Sequence, residues 1–206
     1  MRRRTLLALG LVPLVLAACA TVEIRETRVV EGRVTDDSGR PVANSPVVVV
    51  GRSLSLVTTR LEYQQAGQQE ARTVTDAEGR YRLEFIPSSL GNNFYLFFHD
   101  RTGFDSVRYR TPEPIEITDL LRRERRLAIQ QVLLPSPTWP EVARQLAFYG
   151  EDSDRGRILR RHGLPEKRES SAALDTEIWR YESQGISYWF SGDRLVQTNT
   201  RPPSRP

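Results

Sequence analysis

The sequence predicts a mainly β fold: an antiparallel β-sandwich over residues 28–135, followed by a small α+β module of order ααβββ over residues 141–198. Three observations predict it. Six or seven short β-branched or aromatic runs lie between turn signals in the first stretch, the spacing of a sandwich. Two segments of helical spacing, each stopped by a glycine, follow a proline-rich joint. Three further strand patterns then alternate with turns at Gly185 and Gly192.

Val30, Gly32 and Val34 alternate with Glu31, Arg33 and Thr35, as a half-buried strand does. Asp36-Asp37-Ser38-Gly39-Arg40-Pro41 breaks that strand with turn residues, among which Gly39 can take positive φ. Residues 46–51 place four valines between a proline and a glycine, the composition of a buried strand. Polar residues 64–70 are expected at a hairpin tip. Residues 71–75 and 80–85 flank Asp76-Ala77-Glu78-Gly79, a second hairpin turn. Residues 94–98 are aromatic and strand-like, and residues 127–134 alternate weakly into the last strand.

Pro135-Ser136-Pro137-Thr138-Trp139-Pro140 reads as a stiff linker over residues 136–140, because each proline holds its predecessor extended. Residues 141–149 show helical spacing, with Val142, Leu146 and Tyr149 on one side and Arg144 and Gln145 on another. Gly150 stops the helix. Ser153 or Asp154 can cap a second helix that runs to His162, with Gly163 and Pro165 beyond its end. In it Ile158 and Leu159 face inward, and Arg160 and Arg161 outward. Strands are expected at 177–182, 185–190 and 194–198, joined through Ser183-Gln184-Gly185 and Ser191-Gly192-Asp193. Residues 199–206 are expected to be a disordered, proline-rich tail.

Gly32-Arg33-Val34-Thr35-Asp36, followed by Gly39-Arg40-Pro41-Val42, resembles the opening of a carboxypeptidase regulatory-like domain. Thr75-Asp76-Ala77-Glu78-Gly79-Arg80-Tyr81 is similar to that family's second signature, T-D-x-x-G-x-Y. Each Asp can bond its own turn backbone, and each Gly relieves the strained position. The resemblance implies a transthyretin-like sandwich that is not catalytic and that stabilises, positions or recognises neighbouring domains. The sequence departs from the family in the long polar stretch after Gly51 and around residues 99–110, where Arg101-Thr102-Gly103-Phe104 replaces the usual glycine-aromatic end. In the second unit, Gly163-Leu164-Pro165, Trp179-Arg180-Tyr181 and Tyr188-Trp189-Phe190 with Ser191-Gly192-Asp193-Arg194-Leu195-Val196 resemble the small SmpA/OmlA (BamE-like) envelope domain. That family's glycine-methionine-threonine helix start is replaced by Glu151-Asp152-Ser153-Asp154. Trp179, Tyr181, Tyr188, Trp189 and Phe190 read first as the core of a small sheet, and alternatively as an exposed binding platform.

Met1 is followed by Arg2, Arg3 and Arg4, then by the uncharged residues 6–16 and a run of small side chains, the three-part plan of an export signal over residues 1–18. An apolar run of that length spans about 16 Å as a helix, roughly half a hydrocarbon core. Leu16-Ala17-Ala18-Cys19 resembles the lipobox of bacterial lipoproteins. That resemblance implies a diacylglyceryl thioether on Cys19, cleavage before it, palmitate-type acylation of the new amine, and a tether over residues 19–27. Three acyl chains exceed the two-signal threshold for stable anchoring. An ordinary signal peptide that happens to carry a cysteine is the alternative. Ala20 in place of an aspartate implies the outer membrane, by resemblance to enterobacterial sorting. Arg3-Arg4-Thr5-Leu6-Leu7 also loosely resembles a twin-arginine export motif, which a plain basic start equally explains.

The chain holds 30 basic and 26 acidic side chains, an excess of +4 that drops to +1 once Arg2, Arg3 and Arg4 are removed with the signal. No nucleic-acid partner is expected from so small an excess. Cys19 is the only cysteine, and His99 and His162 are the only histidines, so no disulfide framework, metal site or cofactor is expected. Arg122, Arg123, Arg125 and Arg126 form the densest basic cluster of the mature chain. They read either as a contact for an anionic surface or as a solvated edge that discourages strand pairing.

No catalytic residue is assigned. His99 and Asp100 are chain neighbours and would point to opposite faces of a strand. His162 lies among arginines at a helix end. Glu113 and Glu116 have no sign of a cleft between them, and the acidic turns at Asp36-Asp37 and Asp76-Glu78 fall far short of a calcium loop. The expectation is a non-enzymatic, lipid-anchored protein on the periplasmic side of the outer membrane, serving as a protein-interaction or structural module. A carbohydrate- or peptidoglycan-binding lipoprotein is the alternative.

Overall fold

Two β-sheets face each other across the first core, and a third sheet lies under two helices in the second unit. The computed structural model describes residues 26–57, 62–87, 93–171, 173 and 175–201. The predicted signal segment, Cys19 and residues 202–206 of the tail lie outside the described residues.

In the first unit β1 (Arg28–Asp36), β2 (Pro46–Val57), β3 (Glu62–Val74), β4 (Arg80–Phe85), β5 (Asn93–Phe97), β6 (Ile115–Glu116), α1 (Thr118–Arg123) and β7 (Arg126–Leu133) follow in order. One sheet has the order β4-β1-β7 and the other β3-β2-β5-β6. Each pairing is antiparallel except β1 with β7, which run parallel. The fold is thus a mainly β sandwich with one parallel seam, between the first and last strands of the unit. Val30, Val34, Val47, Val49, Leu83 and Leu96 meet inside it, and each such side chain contributes about 1.5–3 kcal/mol by leaving water.

Tyr81 ties the three-stranded sheet together. Its ring passes Gly32 on β1, and its hydroxyl donates to the carbonyl of Ile129 on β7, 2.9 Å away. A Cβ at position 32 would stand 1.8 Å from that same carbonyl oxygen. Gly32 therefore permits both the close β1–β7 approach and the passage of the ring. The two aspartate turns are built alike. Asp36 Oδ1 accepts from the amides of Ser38 and Arg40, and Asp76 Oδ1 from those of Glu78 and Arg80. Gly39 and Gly79 hold φ of 80° and 73°. The turns also touch, since Val34 donates to the Gly79 carbonyl at 2.8 Å.

In the first unit three elements differ from the sequence reading. Residues 64–70, expected at a hairpin tip, lie in β3, whose backbone pairs with β2 as far as Val57↔Glu62. Polar side chains do not oppose this, because β3 is an edge strand. The short β6 and α1 were not anticipated; α1 has no side-chain cap at Ile117, so it lacks the usual start signal.

The second unit contains α2 (Trp139–Tyr149), α3 (Asp154–His162), β8 (Lys167–Ser171), β9 (Thr176–Tyr181), β10 (Ile186–Ser191) and β11 (Arg194–Thr200). Its sheet has the antiparallel order β11-β10-β9-β8, so the module is ααββββ, with one strand more than the expected ααβββ. Ser153 caps α3, its hydroxyl accepting from the Gly156 amide at 2.9 Å. Asn199 and Thr200, expected in the disordered tail, extend β11, and Arg201 donates its amide to Gly185 at 2.7 Å. Trp139 and Pro140, expected in the linker, form the first turn of α2, where a proline lacks no hydrogen bond.

Residues 107–110 join the units. The Ser136 amide donates to the Arg108 carbonyl and the Arg110 amide to that of Leu134. The Arg108 guanidinium lies 5.4 Å from the Trp139 ring and 3.8 Å from Asp36, while Val107 packs against the core of the second unit.

Replacing Gly32 by alanine is expected to unfold the sandwich or lower its melting temperature severely, by forcing β1 from β7. Tyr81→Phe should cost about 1 kcal/mol, the net value of one hydrogen bond. Urea unfolding of both variants checks the contrast, and equal losses would refute it.

Candidate functional site

The corner where β1 begins gathers the predicted basic cluster. Arg28 is only 7% exposed. Its Nε donates to the Leu121 carbonyl of α1 at 2.9 Å, and its Nη1 meets Glu26 Oε2 at 3.3 Å. The other Glu26 oxygen accepts from Arg125 at 2.7 Å, and the Val29 amide donates to the Arg125 carbonyl at 2.8 Å. Glu26 thus bridges two arginines from distant parts of the chain, so the first described residues are fastened to α1 and to the start of β7.

The other basic residues cluster here but are not equivalent. Arg122 and Arg123 occupy the last turn of α1, where the helix dipole favours cations. Arg122 pairs with Asp119 at 3.0 Å, and Arg126 lies 3.6 Å from Glu31. Among the described residues Arg123 alone of the four makes no ion pair. Carboxylates therefore offset most of the charge of the predicted anionic-surface contact. The cluster lies beside the first described residues. Seven residue steps separate Cys19 from Glu26, which at roughly 3.5 Å each reach at most about 25 Å.

The remaining candidates occupy separate structural positions. The His99 ring lies edge-on to Phe97 and Phe104. Asp100 turns into its own loop, accepting from the amides of Thr102 and Gly103; the Gly103 bond is the main cause that holds its carboxyl below the ordinary value. The two are not a base and its orienting acid. Glu116 accepts from the Thr118 hydroxyl at 3.2 Å, while Glu113 lies outside the named strands and helices. For Asp36, burial pushes the carboxyl pKa up, but hydrogen bonds from Ser38 and Arg40 outweigh it and hold it below the ordinary value. The Arg40 guanidinium at 3.0 Å lies where a bound cation would have to sit. Among the described residues no group of three or more His, Cys, Asp or Glu is placed to hold a metal ion.

Of the five strand aromatics singled out from the sequence of the second unit, Trp179, Tyr181, Tyr188 and Phe190 are core residues, and Trp189 alone of the five faces outward. Sequence reasoning missed Arg155, buried between α3 and the sheet. Its guanidinium lies 4.5 Å from the Phe190 ring centre and binds Glu177 at 3.0 Å, Asp193 at 3.2 Å and the Gly192 carbonyl at 2.7 Å. The available signal was its place on α3, one turn before the inward Ile158 and Leu159.

His162, in the last turn of α3, is a structural link. Nδ1 meets Gln184 Oε1 at 2.5 Å, and Nε2 meets the Tyr188 hydroxyl at 2.8 Å. In this amide orientation Gln184 Oε1 can only accept, so Nδ1 donates and Nε2 accepts. Burial lowers the histidine pKa, the Gln184 bond opposes that, and Arg161 adds to the lowering; the net shift is downward. The unfolded chain therefore takes up this proton first as pH falls. Stability should drop as pH passes down through about 6.5 and level off below the folded value. Urea midpoints at several pH values check this: His162→Gln should flatten that part of the profile, and an unchanged profile would refute the assignment.

No family model matches the chain, and no curated protein matches it. Solved structures resemble it weakly. The C-terminal domain of the shaft pilin SpaA from Lactobacillus rhamnosus GG aligns with a TM-score of 0.34 and 7% identity, over 54% of this chain and 100% of that domain. Catechol 1,2-dioxygenase from Acinetobacter sp. ADP1 aligns with a TM-score of 0.34 and 14% identity, over 55% of this chain and 54% of the enzyme. The major plantain pollen allergen Pla l 1 aligns with a TM-score of 0.29 and 13% identity, over 54% of this chain and 95% of the allergen. The chain spans about half the length of the dioxygenase. Among the described residues no helix is long and apolar enough to cross a membrane.

Proposed function

We propose that this chain is a lipoprotein, anchored through Cys19 in the outer membrane, that holds its two units on the periplasmic side as a non-enzymatic protein-interaction or structural module. The observation that carries the reading is the position of the only cysteine, directly after Leu16-Ala17-Ala18. The fastening of Glu26 and Arg28 supports it, since a load on the tether meets a buried, ion-paired arginine and not a loose strand end. The resemblance of residues 28–135 to carboxypeptidase regulatory-like domains supports a positioning role, and that of the second unit to SmpA/OmlA domains supports contact with other envelope proteins. A carbohydrate- or peptidoglycan-binding role is a second reading, favoured by Phe148, which is 80% exposed, and by the outward Trp189.

Metabolic labelling with radioactive palmitate tests the anchor. The wild-type chain is expected to take up label and sediment with membranes, and Cys19→Ser to do neither; an unlabelled wild type overturns the reading. Cross-linking in intact envelopes separates the roles. Recovery of defined proteins supports the first, and retention on purified sacculi that Phe148→Ala abolishes supports the second.

A further inference from the structure

The outward face of the three-stranded sheet carries an open groove of about 770 Å³, with Gly32 and Ala128 in its floor. Side chains cross it in rows set by strand register. One row is Arg82, Glu31 and Ala128; the next is Arg80, Arg33 and Gln130. The first row is neutralised within itself, because Arg82 meets Glu31 at 2.8 Å and Glu84 at 2.5 Å. The second contains two guanidiniums, an amide and no carboxylate.

Arg33 and Arg80 are direct register partners on neighbouring strands. Like charges placed opposite each other in this way destabilise a sheet. Among the described residues neither makes an ion pair. Of the carboxylates that line the groove, Glu31 pairs with Arg82 and Arg126, while Asp76 accepts its own turn amides on Oδ1 and pairs with neither arginine. Glu78 contributes its backbone carbonyl, which accepts from Arg33 Nε at 2.8 Å. That bond fixes the Arg33 guanidinium and leaves its two terminal amino groups free.

The geometry points to an anion site: we infer that Arg33, Arg80 and Gln130 bind a phosphate monoester at the wall of this groove. Two arginines that are register partners line the groove, and neither has an ion-pair partner among the described residues. A monoester carries about −1.5 to −2 charges near neutral pH and offers three acceptor oxygens. A carboxylate would offset only one of the two cations. Planar forks suit phosphate oxygens in pairs, and the Gln130 amide can donate to the third. The groove is open, so it admits the phosphate end group of a larger molecule, either a soluble sugar or glycerol phosphate or a lipid head group of the same chemistry.

Thermal unfolding of the full chain tests this with glycerol 3-phosphate against chloride of equal ionic strength. Wild type is expected to melt higher with the ester. The Arg33→Gln, Arg80→Gln double variant is expected to melt above wild type without ligand, once like-charge repulsion is relieved, and to show no ester-dependent rise. Both substitutions lie on an exposed face. In wild type the Nε–H resonances of Arg33 and Arg80 should shift on titration. An equal rise in both proteins would indicate a bulk anion effect and overturn the site, as would no rise in wild type. Dihexanoyl phosphatidate separates the two sources: binding tighter than glycerol 3-phosphate by about tenfold identifies a lipid head group, and comparable binding identifies a soluble ester.

Discussion

The three-stranded sheet depends on a tyrosine that crosses a strand. Tyr81 starts on β4, passes the bare backbone of Gly32 and ends on the Ile129 carbonyl of β7. One hydroxyl is thereby held against three strands, and it seals the parallel seam from inside. The surrounding features are consistent with this constraint. Gly79 sits two residues before Tyr81 and closes the turn that feeds β4, and its carbonyl receives the amide of Val34 on β1. The two motifs at Gly32 and at Thr75 to Tyr81 therefore form a single structural unit, although more than forty positions separate them.

Much of this was legible in the sequence because it is local. The alternation in β1, β4 and β5, the Asp-Gly turns and the Ser153 cap each involve residues a few positions apart. Strand β8 was not legible, since Lys167-Arg168-Glu169-Ser170-Ser171 has no apolar residue, and only the free edge of β9 makes it a strand. The polar part of β3 was missed for the same reason. The basic cluster was visible as a composition, but its neutralisation was not, because Glu26 and Arg125 are 99 positions apart. Among the aromatics, the alternation of Tyr188, Trp189 and Phe190 already allowed only one of them to face outward, as the structure shows.

Charge in this chain is organised by position. Buried guanidiniums such as Arg28 and Arg155 are matched by carboxylates and backbone carbonyls, as the cost of an unpaired buried ion requires. At the corner where β1 begins most of the surface arginines are matched as well. Arg33 and Arg80 break this pattern, since they oppose each other on an exposed sheet face without a counter-ion among the described residues.

The parallel seam has a mechanical consequence. Strand β1 begins at the N-terminal end of the first unit, and β7 ends where the second unit departs. A pull between those two ends slides one strand along the other. The eight register pairs from Val29↔Arg126 to Asp36↔Leu133 then share the force together, whereas an antiparallel seam pulled from the same points would unzip pair by pair. The first unit is therefore built to resist force applied between its N-terminal end and the second unit.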